Sequence, residues 1–400
     1  RKEMDRNRSI LIQAPCGAGK TATTAEMLRL ASMKGKRSWF IVHRVELLRQ
    51  TVLAFHNVGI NVGICAAGFP AARKLPVQVC SIQTLARRFN RMIPPDFVIW
   101  DEASHIAARS WSTIFHKLPK AYHVGITATP IRLDGAGLDT FFSSMVCGPT
   151  VRELIDSGYL SKYRLYAPSS INTSGLHSRM GDFVQSELSA LIDRPSITGD
   201  AIKHYMKLCA GKRAIVYAVS IEHSKHIVAQ FIASGISAEH VDGDTDAAVR
   251  AAAIEKFKTG RTMVLSNCDL FSEGVDIPAI EAVILLRPSQ SLALYIQQSG
   301  RGLRRSVGKN ECIILDHANC CRTHGLPDDD RVWSLKGIDK TKTNGERTIG
   351  VRICSECYAA QKPGQPKCQF CGHVFEIKYR KVDHQDGELT EVDIAAARRV

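Results

Sequence analysis

The chain has 400 residues, 44% of them apolar and 23% charged, and a formal net charge of +14 at pH 7. That length exceeds what one core usually serves, so two or more domains are expected, while no apolar run approaches the ~18 residues of a membrane span, so no membrane partner is expected and a cytoplasmic setting is. The positive balance is the electrostatic footprint of a protein that holds a polyanion, and most of the thirteen cysteines are scattered without disulfide-scaffold spacing, which suits a reducing compartment.

The first eight residues are charged and read as the end of a helix, with a segment upstream expected to be missing. Ile10-Leu-Ile-Gln then runs as a strand into Ala14-Pro15-Cys16-Gly17-Ala18-Gly19-Lys20-Thr21, a phosphate-binding loop. Small residues at Gly17 and Gly19 let the loop from Pro15 to Gly19 curl, so that its backbone N–H groups from Cys16 onward and the start of the next helix wrap a polyphosphate. Lys20 reaches the β- and γ-phosphates, and the Thr21 hydroxyl holds a Mg²⁺.

Strands and helices alternate from there, which predicts an α/β architecture with parallel sheets. Ser38 to Val42 reads as a strand that presents His43 and Arg44 at its end, and Val77 to Ile82 as one that presents Ser81, Gln83 and Thr84. Ligands of open α/β sheets bind outside such carboxyl ends. Phe97-Val-Ile-Trp delivers Asp101 and Glu102, carboxylates suited to hold the Mg²⁺ and to deprotonate an attacking water, respectively. A further strand ends in Thr127-Ala-Thr129, whose hydroxyls are expected to bond to Asp101 or Glu102 and report their state to the next domain.

Residues 149–168 read as a crossover, after which a second α/β sheet without a phosphate loop is expected, with strands at 214–219, 239–241, 262–265, 282–286 and 312–316. Gly274 and Asp276 lie on the loop after one of these strands. Gln297-Gln-Ser-Gly-Arg301-Gly-Leu-Arg304 closes a helix with two arginines on one face, suited to reach a γ-phosphate and stabilise transition-state charge.

Ala14 to Thr21, Asp101-Glu-Ala-Ser104, Thr127-Ala-Thr129, Ser272-Glu-Gly-Val-Asp276 and Gln297 to Arg304 resemble motifs I, II, III, V and VI of superfamily 2 DEAD/DEAH-box helicases, in order. The nearest likeness is to the RadD-like group of bacteria and phages. His43-Arg44, Ser81 to Thr84 and Tyr217 to Glu222 resemble the minor motifs between them. The resemblance spans residues 11–305. It implies two tandem RecA-like domains at about 1–150 and 151–320, with ATP and Mg²⁺ in the cleft and DNA across both lobes. Its nucleic-acid contacts would include Arg44, Gln83, Ser220 and Asn267. It also implies an ATP-dependent DNA helicase or translocase in repair or recombination, in a bacterial or phage-infected cell; an RNA-dependent ATPase or a nucleotide-switched binder remains the alternative. Motif II has Ser104 where the family often has His, and the adenine-recognising Q-motif has no counterpart.

Residues 321–349, polar and rich in aspartate, read as a linker. Cys354-x-x-Cys357 and Cys368-x-x-Cys371 then form two knuckles able to bind one Zn²⁺ as a small ribbon over residues 350–381, with His373 an alternative ligand and a redox pair the alternative use. Arg352, Lys362, Lys367, Lys378, Arg380 and Lys381 around the knuckles suit nucleic-acid backbone or a protein partner. Residues 382–400 start a C-terminal segment.

Overall fold

The computed structural model describes residues 2–43, 45–70, 72–132, 135–167, 177–179, 182–184, 187, 195–268, 270, 280–337 and 350–375. Residues 2–147 build the first lobe around seven strands: β1 (Ser9–Gln13), β2 (Ser38–Val42), β3 (Val62–Cys65), β4 (Val77–Ser81), β5 (Phe97–Asp101), β6 (Tyr122–Thr127) and β7 (Ser144–Cys147). They pair in the order β3-β4-β2-β5-β6-β1-β7, every pair parallel. Central strands β2 and β4 are buried along their whole length, as expected when both faces of a parallel sheet are covered. One face packs around Trp39, Trp100 and Trp111, the other around Phe40, Phe55 and Leu28.

The second lobe carries β8 (Lys162–Tyr166), then a two-residue pair β9 (Ser178–Arg179) and β10 (Asp182–Phe183), and then β11 (Ala214–Tyr217), β12 (Ala238–Val241), β13 (Val264–Asn267), β14 (Ala282–Leu285) and β15 (Glu311–Asp316). Six of these form a sheet in the order β12-β13-β11-β14-β15-β8, again all parallel. Two RecA-like lobes with parallel sheets are thus present.

The crossover expected at 149–168 is more structured than its sequence suggests. Thr150 accepts from the Glu153 N–H while the Glu153 carboxylate accepts from the Thr150 N–H, a full capping box that starts the helix Val151–Asp156. The chain then enters β8, an edge strand of the second sheet.

The segment read as a linker is not one in its first half. Two of its aspartates, Asp328 and Asp329, are buried at 5% and 8% exposed, while Asp330 beside them is exposed. Asp328 pairs with Arg152 and accepts from the Tyr163 hydroxyl. Arg331 donates to the carbonyls of His324, Leu326, Pro327 and Asp329. The chain then returns to the first lobe, where the Leu335 carbonyl accepts from Leu138 N–H at 2.6 Å and Asp139 N–H at 3.1 Å. Residues 325–337 therefore strap one lobe to the other.

Strands β16 (Arg352–Ile353) and β17 (Ala360–Gln361) pair antiparallel and hold the cysteine knuckles. This small unit packs on the second lobe, where Ala359 bridges Tyr166 and the Tyr358 carbonyl accepts from Ala167 N–H.

Candidate functional site at the interface of the two lobes

At the end of β1, Gln13 lies opposite Thr127 on one neighbour and Cys147 on the other. The chain turns there, with Ala14 N–H held by the Thr127 carbonyl at 2.9 Å and Ala18 N–H by the Pro15 carbonyl at 3.2 Å. Gly17 and Gly19 have φ of 82° and 80°, a left-handed conformation that favours glycine. Gly19 caps the helix Lys20–Met33 with no side chain bonded to its first N–H groups. Those donors and the positive helix end face the loop, the arrangement that receives phosphate.

Asp101 ends β5, and Glu102 follows with φ 49° and ψ 58°, a left-handed backbone that costs a non-glycine residue roughly 1–3 kcal/mol. The strain turns its carboxylate toward the loop: Glu102 Oε1 lies 3.8 Å from Lys20 Nζ. Its other oxygen, Oε2, is buried without a hydrogen-bond partner. Burial alone would push the Lys20 ammonium down, but Glu102, then Cys16 and Asp101, hold it above its ordinary pKa against opposition from Arg304. The sequence expectation that Asp101, Glu102 and Lys20 share one sheet edge is met by this geometry.

The second lobe closes the site from above. Ser291 accepts from Leu294 N–H at 3.3 Å to start the helix Leu292–Gly302, whose second half, from Tyr295 to Gly302, is buried throughout, Gln297 included. This helix meets the phosphate loop without a gap. A methyl group added at Gly300 would stand 2.9 Å from Cys16 Cβ, and one at Gly17 would stand 2.7 Å from Leu160 Cδ2 and 3.4 Å from Arg304 Cγ. Arg301 is 7% exposed; burial first, then Arg304, lowers its pKa, opposed by Tyr217, Cys16 and Glu102.

Thr127 and Thr129 are fully buried but do not reach the carboxylates. Thr127 Oγ1 donates to the Thr129 carbonyl at 3.0 Å and accepts from Thr129 N–H at 3.2 Å. This closed turn, with Gln13 Nε2 donating to the Ala128 carbonyl at 3.0 Å, braces the root of the phosphate loop instead. Sequence reasoning missed Gln13, because a polar residue in a buried strand carries no signal until its strand neighbour is known.

At the carboxyl ends of β2 and β4, Ser81 Oγ donates to Gln83 Oε1 at 2.7 Å and Gln83 Nε2 donates to the His43 carbonyl at 2.9 Å, with Thr84 half-buried beside them. Ser220 accepts from His223 N–H at 3.1 Å as the cap of the helix Ile221–Ala233. Asn267 does not fit its expected role. It is 0% exposed, and its Nδ2 donates to the Val216 carbonyl at 2.8 Å, so it ties β13 to β11 and offers nothing to a strand outside. Arg44, Gly274 and Asp276 lie outside the described residues, as do Lys378, Arg380 and Lys381.

In the small C-terminal unit, the Sγ atoms of Cys354, Cys357, Cys368 and Cys371 all lie within 4.8 Å of one another. Cys354 to Cys371 is 3.7 Å and Cys357 to Cys368 is 3.6 Å. Thiolates at the usual ~2.3 Å from a tetrahedral zinc stand about 3.8 Å apart, so the cluster fits that ion. His373 is not in it; its Nε2 lies 3.3 Å from Ser355 Oγ. Two of the nearby cations already have structural partners: Arg352 lies 4.0 Å over the Phe375 ring and Lys362 is 3.7 Å from Asp329.

The family model described as Type III restriction enzyme, res subunit, matches residues 1–132, and that of the helicase conserved C-terminal domain matches residues 199–306. A 51.5 kDa protein of a Lactococcus phage is 34% identical over 371 residues, covering 92% of this chain and 78% of its own length. An inferred ATP-dependent helicase of Saccharomyces cerevisiae, IRC3, is 29% identical over 331 residues; the match covers 77% of this chain but only 48% of the yeast protein. Among solved structures, the ATP-dependent Type ISP restriction-modification enzyme LlaBIII bound to DNA superposes with a TM-score of 0.60 at 18% identity, over 79% of this chain and 26% of that one.

Proposed function

The chain belongs to the superfamily 2 helicases, enzymes that hydrolyse ATP to act on nucleic acid, and we propose that it is a DNA-driven ATPase that moves along or opens DNA in repair or recombination. The carrying observation is that Lys20 and Glu102 stand 3.8 Å apart in one lobe while the helix bearing Arg301 packs directly on the same loop from the other. In this reading Gly17, Gly19, Lys20 and Thr21 hold the phosphates, and Glu102 Oε2 accepts the proton of the attacking water. Arg301 and Arg304 engage the γ-phosphate from the opposite lobe. Thr21 and Asp101 form an all-oxygen donor set of the kind Mg²⁺ takes, and the ion would neutralise charge that develops on the phosphates. The sequence resemblance would add Gly274 and Asp276 to the nucleotide side.

Phosphate in the cleft draws the lobes together and its release lets them part, so a strand lying across both is displaced along them. His43, Gln83 and Thr84 form the first-lobe lip for that strand, with Ser81, 2% exposed, holding Gln83 from beneath and Arg44 and Ser220 as further contacts; Gln297 couples the arginine helix to it. The net charge of +14 favours sequence-independent phosphate contacts that weaken steeply with salt. The resemblance of its motifs to the RadD-like group favours DNA. The cysteine cluster would hold one Zn²⁺, a structural ion that orders a unit with too small a core of its own.

The test is steady-state ATP hydrolysis without nucleic acid and with single-stranded DNA, duplex DNA or RNA. Stimulation by DNA is expected. Stimulation by RNA alone would replace the reading with an RNA-dependent ATPase, and binding of ATP and DNA without turnover would make the chain a nucleotide-switched binder.

A further inference from the structure

We propose that Lys309 is a positioning residue for the arginine pair: its ammonium clamps the carbonyl end of the helix that carries Arg301, and so sets where both guanidinium groups stand over the phosphate loop. The inference rests on Arg301 and Arg304 acting on the γ-phosphate.

Lys309 is 8% exposed, at a turn where its N–H bonds the Ser306 carbonyl at 3.2 Å. From there its side chain runs back beneath the helix end. Nζ donates to the Gly302 carbonyl and, at 2.8 Å, to the Arg304 carbonyl. The last carbonyls of a helix lack intrahelical partners and carry its negative end. An ammonium there answers both needs at once.

Burial lowers the Lys309 pKa, against Cys312 and Glu281, yet no ion pair joins it to a carboxylate among the described residues. A buried cation without a counter-carboxylate is costly. Helix termination alone does not require that cost, because a glycine or a water-exposed end would suffice. What Lys309 adds is a fixed path for residues 302–304 as they leave the helix.

A second segment, residues 158–161, pins the same stretch as well. Ser161 N–H bonds the Leu303 carbonyl at 2.8 Å, Leu160 bridges Arg304, and Arg305 Nη1 donates to the Gly158 carbonyl at 2.6 Å. Leu160 is also the side chain that faces Gly17. The arginine-bearing backbone is thus held by residues 158–161 and by Lys309 together, next to the loop. A misplacement of about 1 Å in such a group can cost on the order of 10²-fold in rate.

The experiment compares DNA-stimulated ATP hydrolysis by Lys309→Met, Lys309→Gln and Lys309→Arg with the parent, Arg301→Ala, Arg304→Ala and the Lys309→Met/Arg304→Ala pair. Lys309→Met is expected to lose about ten-fold or more in kcat with KM for ATP within about two-fold. Lys309→Arg, which keeps a cationic donor, should recover part of that loss, and the pair should fall little below Arg304→Ala because both act through one group. Lys309→Gln gives the same readout if the Met variant does not fold. Parental kcat in Lys309→Met or Lys309→Gln, or losses that add fully in the pair, would overturn the inference. If Arg301→Ala and Arg304→Ala themselves keep parental kcat, the arginine reading beneath it has failed instead.

Discussion

An indole N–H can only donate, and this fixes the state of His123 beside the strand that ends in Asp101. Trp100, the residue before Asp101, donates to His123 Nδ1 at 3.1 Å, so the ring proton sits on Nε2 and points to the Leu118 carbonyl at 3.0 Å. Burial, reinforced by His116 and opposed by the Leu118 bond, lowers its pKa to about 4. His317 is buried too, and its pKa falls to about 3. A folded-state pKa below the unfolded value of about 6.5 means that the unfolded chain takes the proton first. The stability that neutral His123 contributes is whole above pH 6.5 and is lost as pH falls toward 4, at up to about 1.4 kcal/mol per pH unit. Melting temperature should therefore drop between pH 7 and 5, and His123→Asn should show a shallower slope than the parent. An identical slope in the variant would show that this histidine is not a source of the acid sensitivity.

At the scale of elements, the parts with local chemistry were legible and those defined by distant partners were not. The phosphate loop, the Asp101-Glu102 strand end and the arginine helix each carry their signal in consecutive residues. Strands β3, β7 and β8 escaped, and all three lie at sheet edges; β7 has no fully buried residue, whereas β3 is a four-residue strand interrupted by Gly63. The strap at 325–337 escaped for a different reason. Asp328, Asp329 and Arg331 look like solvated charge, and what buries them is Tyr163, Arg152, Lys362 and a set of backbone carbonyls far away in the chain. Asn267 and the Thr127 turn were misread in the same way, since only the neighbouring strand shows where their polar atoms go. The strap's grip on the first lobe depends on Gly137, where a methyl group would overlap the backbone of Leu335 and Lys336. Gly137→Ala should lower stability by roughly 1–3 kcal/mol and speed proteolytic cleavage within 331–337. Parental melting and parental cleavage would show that the contact does not hold the strap.

Across the whole molecule the chain crosses between lobes more than once. It leaves the second lobe through the strap, bonds the first lobe at Leu138, and returns as the cysteine unit on the second lobe, where Ala359 and Ala360 enter the core beside edge strand β8. That unit covers an exposed sheet edge and is tied to the strap by Lys362 and Asp329. It is therefore part of the second lobe's packing rather than a pendant module. Metal analysis should find one zinc per chain, and chelation should lower the melting temperature while basal ATP hydrolysis persists; a protein that carries no zinc would remove the claim.

The proposed hydrolysis requires the Glu102 carboxylate and the arginine helix to act together at one phosphate loop. The most direct test is the hydrolysis assay on Glu102→Gln beside the parent, with ATP binding measured on both. The prediction is that the variant binds ATP while DNA-stimulated turnover falls by about 10²-fold or more, the range general-base loss commonly produces. Turnover at the parental rate in Glu102→Gln would show that this carboxylate is not the base.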